Sequence, residues 1–381
     1  MIAPHGGKLI NRVLEGAAKA KALETAKAAP KVAVTKEMIQ DIQNIANGVF
    51  SPIEGFLTEA DFKGCIENMR LTTGVPWTIP IVLDVDKKTA DGLKEYAAIT
   101  DDAGKIYALL HVEDKYTFDK DAMAQSVYGT KDDAHPGVAK TRAMKDWLIG
   151  GKIDLLDSLD DPYAEFNLPP AGTRKVFEEK GWETVCAFQT RNVPHVGHEN
   201  LQKTVLGLCD GLLVHPIIGK KKKGDFKDHL ILKTYDVLLD SYYNREHAFL
   251  NILPTEMRYA GPKEAIHHAI MRKNYGCTHI IIGRDHAGVG NYYAHDAAIK
   301  IFRNFDDLDI QPIAIHGDFY YCKKCLGIAS DRTCNHPDEY RINFSGTVIR
   351  KMIIEHKPPQ PEIMRPEVFE VIDKDPNPFV E

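Results

Sequence analysis

No apolar run in the chain approaches the roughly 18 residues that a membrane-spanning helix needs, so a helical membrane protein is not expected. The N-terminus lacks the apolar stretch of a secretory signal, and the expected compartment is the cytoplasm. Cysteine is scarce. Seven in 381 residues is an odd number, and four are scattered, which suits a reducing compartment better than a disulfide framework. Positive charge is not in excess either. A net charge of -6 argues against general nucleic-acid binding and requires any anion site to be local, built from a few focused Lys, Arg and His residues. What remains is an ordinary globular composition, 44% hydrophobic and 27% charged, long enough for two or three domains.

Against that background residues 189–198, Q-T-R-N-V-P-H-V-G-H, concentrate polar chemistry. A short apolar run at 185–188 precedes them. Leu201, Val205 and Leu208 follow with helical spacing, and Gly211 reads as the stop. Residues 212–218 are strand-like again, so the unit predicts strand, loop, helix and strand, with parallel strands and a right-handed crossover. In such sheets ligands bind where strands end and helices begin, and a helix N-terminus offers free N–H groups to an anion. Arg191 adds a cation forked for tetrahedral oxyanions, Gln189 and Asn192 add neutral donors, and His195 and His198 flank Gly197. A unit charge pair about 4 Å apart is worth about 4 kcal/mol at an effective dielectric near 20, so a site that joins two anions needs several such groups.

H-V-G-H after a strand resembles the signature of the nucleotidylyltransferase superfamily, and the full ten-residue string is similar to that of the ATP sulfurylases, or sulfate adenylyltransferases. A second string, G-R-D-H-A-G-V-G at 283–290, follows the strand signal at 279–282 and resembles the family's second motif. G-x-x-x-x-G alone is weak, and the string lacks the G-K-[ST] ending of a P-loop. At the end of a second parallel strand it is expected to partner the first loop in one crevice. A third, N-F-S-G-T-V-I-R at 343–350, resembles the S-G-T-x-[IVL]-R found before the last helices, and the chain opens on Pro4-His5-Gly6-Gly7 as family members do.

The resemblance covers nearly the whole chain and implies an α/β protein. A PUA-like, mainly β N-terminal domain would span 1–168, a Rossmann-like parallel-sheet nucleotidylyltransferase domain 169–318, and a small zinc-braced C-terminal region 319–381. It implies catalytic roles for Thr190, Arg191, Asn192, His195 and His198, and sulfate binding by Gln189, Arg191 and Ala287. ATP would meet the residues of the first loop together with Gly283, Arg284, Asp285, His286 and Ala329. The implied reaction turns ATP and sulfate into adenosine 5′-phosphosulfate and pyrophosphate. Mg2+ would arrive on ATP, since no all-carboxylate cage is visible. Relatives assemble as homo-oligomers, and a dimer is expected here. One departure stands out: many members read Q-T-R-N-P-x-H, whereas Val193 precedes Pro194 here, which looks like the branch associated with dissimilatory sulfur metabolism. No P-loop follows the catalytic region, so no fused adenosine phosphosulfate kinase is expected.

Elsewhere the chain predicts a helix from Leu14 with a weak apolar face, a turn-rich platform over 47–57, a strand over 77–85 restricted by Pro80 to an edge or bulge, and another over 107–112. Prolines and glycines at 154–173 read as a domain boundary. The lysine run at 219–225 is a solvated loop or a phosphate-reaching lid. A helix follows at 228–243, then a short strand at 251–254. Arg258 is a structural ion pair or a site residue, and Pro262 starts a helix running to Tyr275 and capped by Gly276. Cys322, Cys325, Cys334 and His336 have the spacing C-x2-C-x8-C-x-H, a closed tetrahedral set suited to structural zinc, with free cysteines or a redox pair as alternatives. Ser345 is a candidate helix cap, and Arg350 a surface pair or a phosphate ligand. Two other functions stay open: a nucleotidylyltransferase with another acceptor, and a PUA and zinc nucleic-acid binder.

Overall fold

The computed structural model describes residues 1–344 and 346–381, without the side chain of Thr347. Ser345, the candidate cap, lies outside the described residues. The chain divides into two compact units, Met1–Glu178 with Pro254–Ala314, and Glu179–Leu253 with Ile315–Glu381.

In the first unit a seven-stranded sheet is assembled around Trp147–Leu155. That strand pairs antiparallel with Gly55–Phe56, Leu83–Val85, Ile106–His111 and Asp114–Thr117 along its length. Gly151 makes the crowding feasible. Its φ is 143°, and a Cβ there would lie 1.9 Å from His111 O. The predicted strand over 77–85 forms only at Leu83–Val85. Residues 77–81 are buried but irregular, because Pro80 has no N–H to give a ladder. Helix Gly16–Ala28 matches its weak apolar face, burying only Ala22 and Ala26, against Ala98, Leu109 and Leu156. Farther along, Pro262–Tyr275 starts on proline, ends on Gly276 at φ 102°, and buries nearly every residue. Strand His279–Ile282 pairs in parallel with Gln311–Ala314.

The second unit holds parallel strands in the order Ala248–Leu250, Gly211–Ile218, Val185–Thr190. Gly211–Ile218 is buried at every position, as a strand covered on both faces should be. Helix Val196–Leu206 connects the first two in sequence and stops at Gly207. Gly211 is therefore not its stop. It opens the next strand, where a Cβ would lie 2.2 Å from the Trp182 ring, and Leu208 is left exposed. Helix Asp228–Tyr242 forms as predicted, and Tyr242 OH donates to Glu367 of helix Pro366–Asp373 at 2.7 Å. The predicted strand at 251–254 appears as Ala248–Leu250 and Leu253–Pro254. Phe319–Cys322 lies between antiparallel partners Gly327–Ser330 and Arg341–Asn343. Among the described residues no helix is long and apolar enough to cross a membrane.

Candidate functional site

Strand Val185–Thr190 ends inside the first predicted loop, so Gln189 and Thr190 are its last residues. Thr190 is buried and ties the turn: its Oγ1 accepts the Asn192 N–H at 3.1 Å and donates to Asn192 O at 3.2 Å. Gln189 Oε1 is buried without a hydrogen-bond partner among the described residues, which marks it as an atom awaiting a donor. Arg191 is half-buried on the turn. His195 is the N-cap of helix Val196–Leu206, its Nδ1 accepting the His198 N–H at 3.3 Å. In the neutral ring that bond places the proton on Nε2, so His195 presents a donor.

The two histidines stack on one another at 3.7 Å between ring centroids, and Phe344 lies nearly parallel to His195 at 5.3 Å. Gly197 is required here, since a Cβ would come within 2.9 Å of Phe344 and 3.0 Å of the His195 ring. Burial drives both imidazoles toward the neutral form, His198 down to about 4 and His195 well below its ordinary value with help from His198. The helix end is less open than the sequence suggests. The Val196 N–H is taken by Ile363 O at 2.8 Å and the His198 N–H by the cap, which leaves the Gly197 N–H without a protein acceptor among the described residues.

Residues far along the chain hold this loop. Arg350 Nη2 donates to Asn192 Oδ1 at 3.3 Å, joining the third motif to the first. Arg365 grips the buried Glu199 carboxylate with two bonds of 2.8 Å, and Lys203 adds one of 2.6 Å. Although burial opposes ionisation, these cations hold Glu199 below the usual carboxylate range. The lysine loop is tied to the helix that follows it, Lys221 Nζ lying 2.9 Å from Asp228 Oδ1.

The second loop follows strand His279–Ile282 in the first unit and is built differently. No helix begins behind it. Asp285 and Ala287 take left-handed backbone conformations at φ 52° and 56°, and Ala287 O accepts the Gly261 N–H at 3.1 Å. His295 Nδ1 engages both Asp285 oxygens at 2.8 and 2.9 Å. Gly283 lies half-buried at the strand end, Arg284 is exposed, and His286 points inward with Nε2 at 3.1 Å from His268 Nδ1. Arg258 is drawn into a bidentate pair with Asp41 at 2.7 and 2.8 Å, the structural alternative of the sequence reading.

The four candidate metal ligands come together. Cys322 Sγ and Cys325 Sγ each lie 3.6 Å from Cys334 Sγ, and His336 Nδ1 lies 3.3 to 3.4 Å from all three sulfurs. Tetrahedral Zn–S bonds of about 2.3 Å give sulfur separations of about 3.8 Å, whereas a disulfide needs about 2.05 Å. The donor set therefore fits a metal ion. Backbone N–H groups of Cys325 and His336 donate to Cys322 and Cys334 Sγ at 3.4 Å. Ala329, expected at the nucleotide, is buried beside Tyr320, Cys322 and Cys334.

The sequence profile of the ATP-sulfurylase family matches residues 164–375, and that of the PUA-like domain residues 2–158. Sulfate adenylyltransferase of Pyrococcus abyssi is 49% identical over 381 residues, covering 99% of each chain. Those of Thermococcus onnurineus and Cenarchaeum symbiosum are each 48% identical, over 99% or more of both chains. The chain belongs to the ATP sulfurylase family. A solved structure described as a hexameric APS kinase from Thiobacillus denitrificans shares the fold, with a TM-score of 0.78 at 18% identity over 99% of this chain and 69% of that one.

For an ATP sulfurylase of this sequence, several supporting residues escaped motif reading. Phe344 lies inside the third string but was given no role, and its stacking on His195 has no local signal. Arg365 and His268 act on Glu199 and His286 from outside every motif.

Proposed function

We propose that the chain catalyses adenylyl transfer from ATP to sulfate, giving adenosine 5′-phosphosulfate and pyrophosphate, and the reverse reaction. The observation that carries this is the first loop: an oxyanion-binding string at a strand end, with a cap histidine held as an Nε2–H donor above a second neutral histidine. A sulfate oxygen attacks the α-phosphorus in line. The bond from that phosphorus to the oxygen bridging the β-phosphorus breaks, and pyrophosphate leaves with the electron pair. No covalent enzyme intermediate is needed, because positioning and charge neutralisation supply what such transfer asks of a protein.

In this reading Gln189, Arg191 and the Ala287 backbone N–H hold sulfate. His195, through its Nε2–H, and His198 stacked against it stabilise charge on the phosphates as pyrophosphate leaves, and Asn192, steadied by Thr190 and Arg350, guides the transferred group. Gly283, Arg284, Asp285 and His286 meet the nucleotide, and Ala329 joins them on the family resemblance alone. Mg2+, bound to ATP, would neutralise part of the triphosphate charge. Cys322, Cys325, Cys334 and His336 would hold zinc, and a full protein shell makes that ion structural. The reading divides the chain into a PUA-like part at 1–168 with a structural role, a catalytic part at 169–318 and a zinc-braced part at 319–381. It describes a cytoplasmic homodimer, and Val193 before Pro194 supports the dissimilatory branch, in which ATP is made.

The test is ATP formation from adenosine 5′-phosphosulfate and pyrophosphate with Mg2+, the downhill direction. Rapid ATP release supports the reading. Folded, metal-loaded protein that makes none refutes it and points to another acceptor.

A further inference from the structure

Helix Pro262–Tyr275 carries a chain of polar groups that no motif announced. Glu264 and His268 lie one turn apart, each side chain 1% exposed, with Glu264 Oε1 at 3.3 Å from His268 Nε2. The same carboxylate already accepts two backbone N–H groups, from Arg258 at 2.8 Å on Oε1 and from Ala260 at 3.0 Å on Oε2. His268 Nδ1 then reaches His286 Nε2 at 3.1 Å, the two rings inclined at 71°. The Nδ1 of His286 has no protein hydrogen bond among the described residues.

We propose that Glu264 and His268 are positioning residues that hold His286 as its Nε2–H tautomer, so that Nδ1 meets the nucleoside of ATP as a hydrogen-bond acceptor. Each step follows from donor and acceptor counting. Burial raises the Glu264 carboxyl, but the Arg258 and Ala260 N–H groups donate to its two oxygens and favour its carboxylate form, so the His268 Nε2 that faces Oε1 at 3.3 Å is assigned as a donor. A neutral His268 then has a bare Nδ1, which can only accept, so His286 donates from Nε2. Its own Nδ1 keeps a lone pair. A lone pair repels phosphate oxygens and attracts an O–H or N–H, which on ATP means a ribose hydroxyl or the adenine amino group. A carboxylate that fixes a histidine through its far nitrogen is a recurring way to set tautomer and ring plane. Neutral rings are required throughout, and burial lowers His286 to about 3 and His268 well below its ordinary value.

The inference rests on the reading that places His286 at the nucleotide, and the experiment separates the two. Nitrogen-15 spectra of histidine-labelled protein, with His286→Phe assigning the signal, report the tautomer without any ligand. The expected spectrum has His286 protonated on Nε2 alone, kept in His268→Gln, which accepts and donates in the same directions, and mixed in His268→Leu. An Nδ1–H tautomer in the unsubstituted protein overturns the relay, and that result needs no variant to fold. An unchanged tautomer in folded His268→Leu overturns it as well. The second arm measures KM for ATP, 2′-deoxyATP, 3′-deoxyATP and purine riboside triphosphate. One missing donor should raise KM about tenfold, and His286→Phe should erase that difference. The analogue affected tells ribose from adenine. An Nε2–H tautomer with no analogue penalty that depends on His286 refutes the nucleoside contact while leaving the relay standing.

Discussion

The two loops present opposite faces of histidine chemistry. In the first, His195 caps a helix with Nδ1 and shows a donor at Nε2. In the second, His286 spends its Nε2–H on His268 and shows an acceptor at Nδ1. The first is held by stacked rings, a buried carboxylate between two cations, and Arg350 on Asn192. The second is held by left-handed backbone at Asp285 and Ala287 and by a carboxylate beneath two imidazoles. The contrast teaches that residue type does not fix polarity. The partner on the far nitrogen does, and in the proposed function it would divide the work into charge neutralisation at one loop and nucleoside recognition at the other.

The largest expected effect comes from removing the first loop's fixed charge. Arg191→Ala should lower kcat by about a thousandfold or more while circular dichroism and metal content stay unchanged, and near-normal turnover would break the comparison. His195→Phe keeps a ring to stack on Phe344 but removes both the cap and the donor. Its kcat should fall about a hundredfold, with a smaller change in KM. Cys325→Ser asks how far the metal cluster supports the second unit; bound metal measured by mass spectrometry should drop, and thermal unfolding should begin several degrees lower, by about 2 kcal/mol or more. Arg365→Ala strips the bidentate partner from Glu199, whose side chain is 4% exposed. Because Arg365 is itself 32% exposed, a loss of about 1 to 2 kcal/mol in urea unfolding is expected, partly recovered by Arg365→Lys.

The smallest effect is a pH slope. The folded value for His198 is about 4 and that of His195 is well below 6.5, both below the unfolded value. The unfolded state therefore binds more protons between the two values. The stability contributed by the neutral rings is present above about pH 6.5 and is lost as pH falls toward 4. Unfolding midpoints at pH 7 and pH 5 measure the slope, and His198→Phe should flatten it.

Much of the scaffold was legible because local signals agreed with tertiary ones. The apolar run before residue 189, the helical spacing after His195, and Pro262 with Gly276 all name their elements. Gly211 misled because a glycine that stops a helix and one that lets Trp182 pack against a strand look alike in sequence. The strand at 77–85 shrank because burial and apolar character do not supply the N–H that Pro80 lacks. In the candidate site, the residues proposed to meet ligands were visible as strings, whereas those proposed to set their protons were not. Glu264 and His268 lie on a helix buried on nearly all sides, where a 3.6-residue pattern cannot mark a functional face. Arg365 reaches Glu199 across 166 residues, a distance no local pattern spans.

The most direct test of the central claim is exchange of labelled pyrophosphate into ATP, with and without sulfate, on metal-loaded protein with Mg2+. Direct attack by sulfate on the α-phosphorus predicts exchange that requires sulfate and disappears in Arg191→Ala. Exchange without sulfate would reveal an adenylylated enzyme, and no exchange with sulfate present would contradict the activity itself.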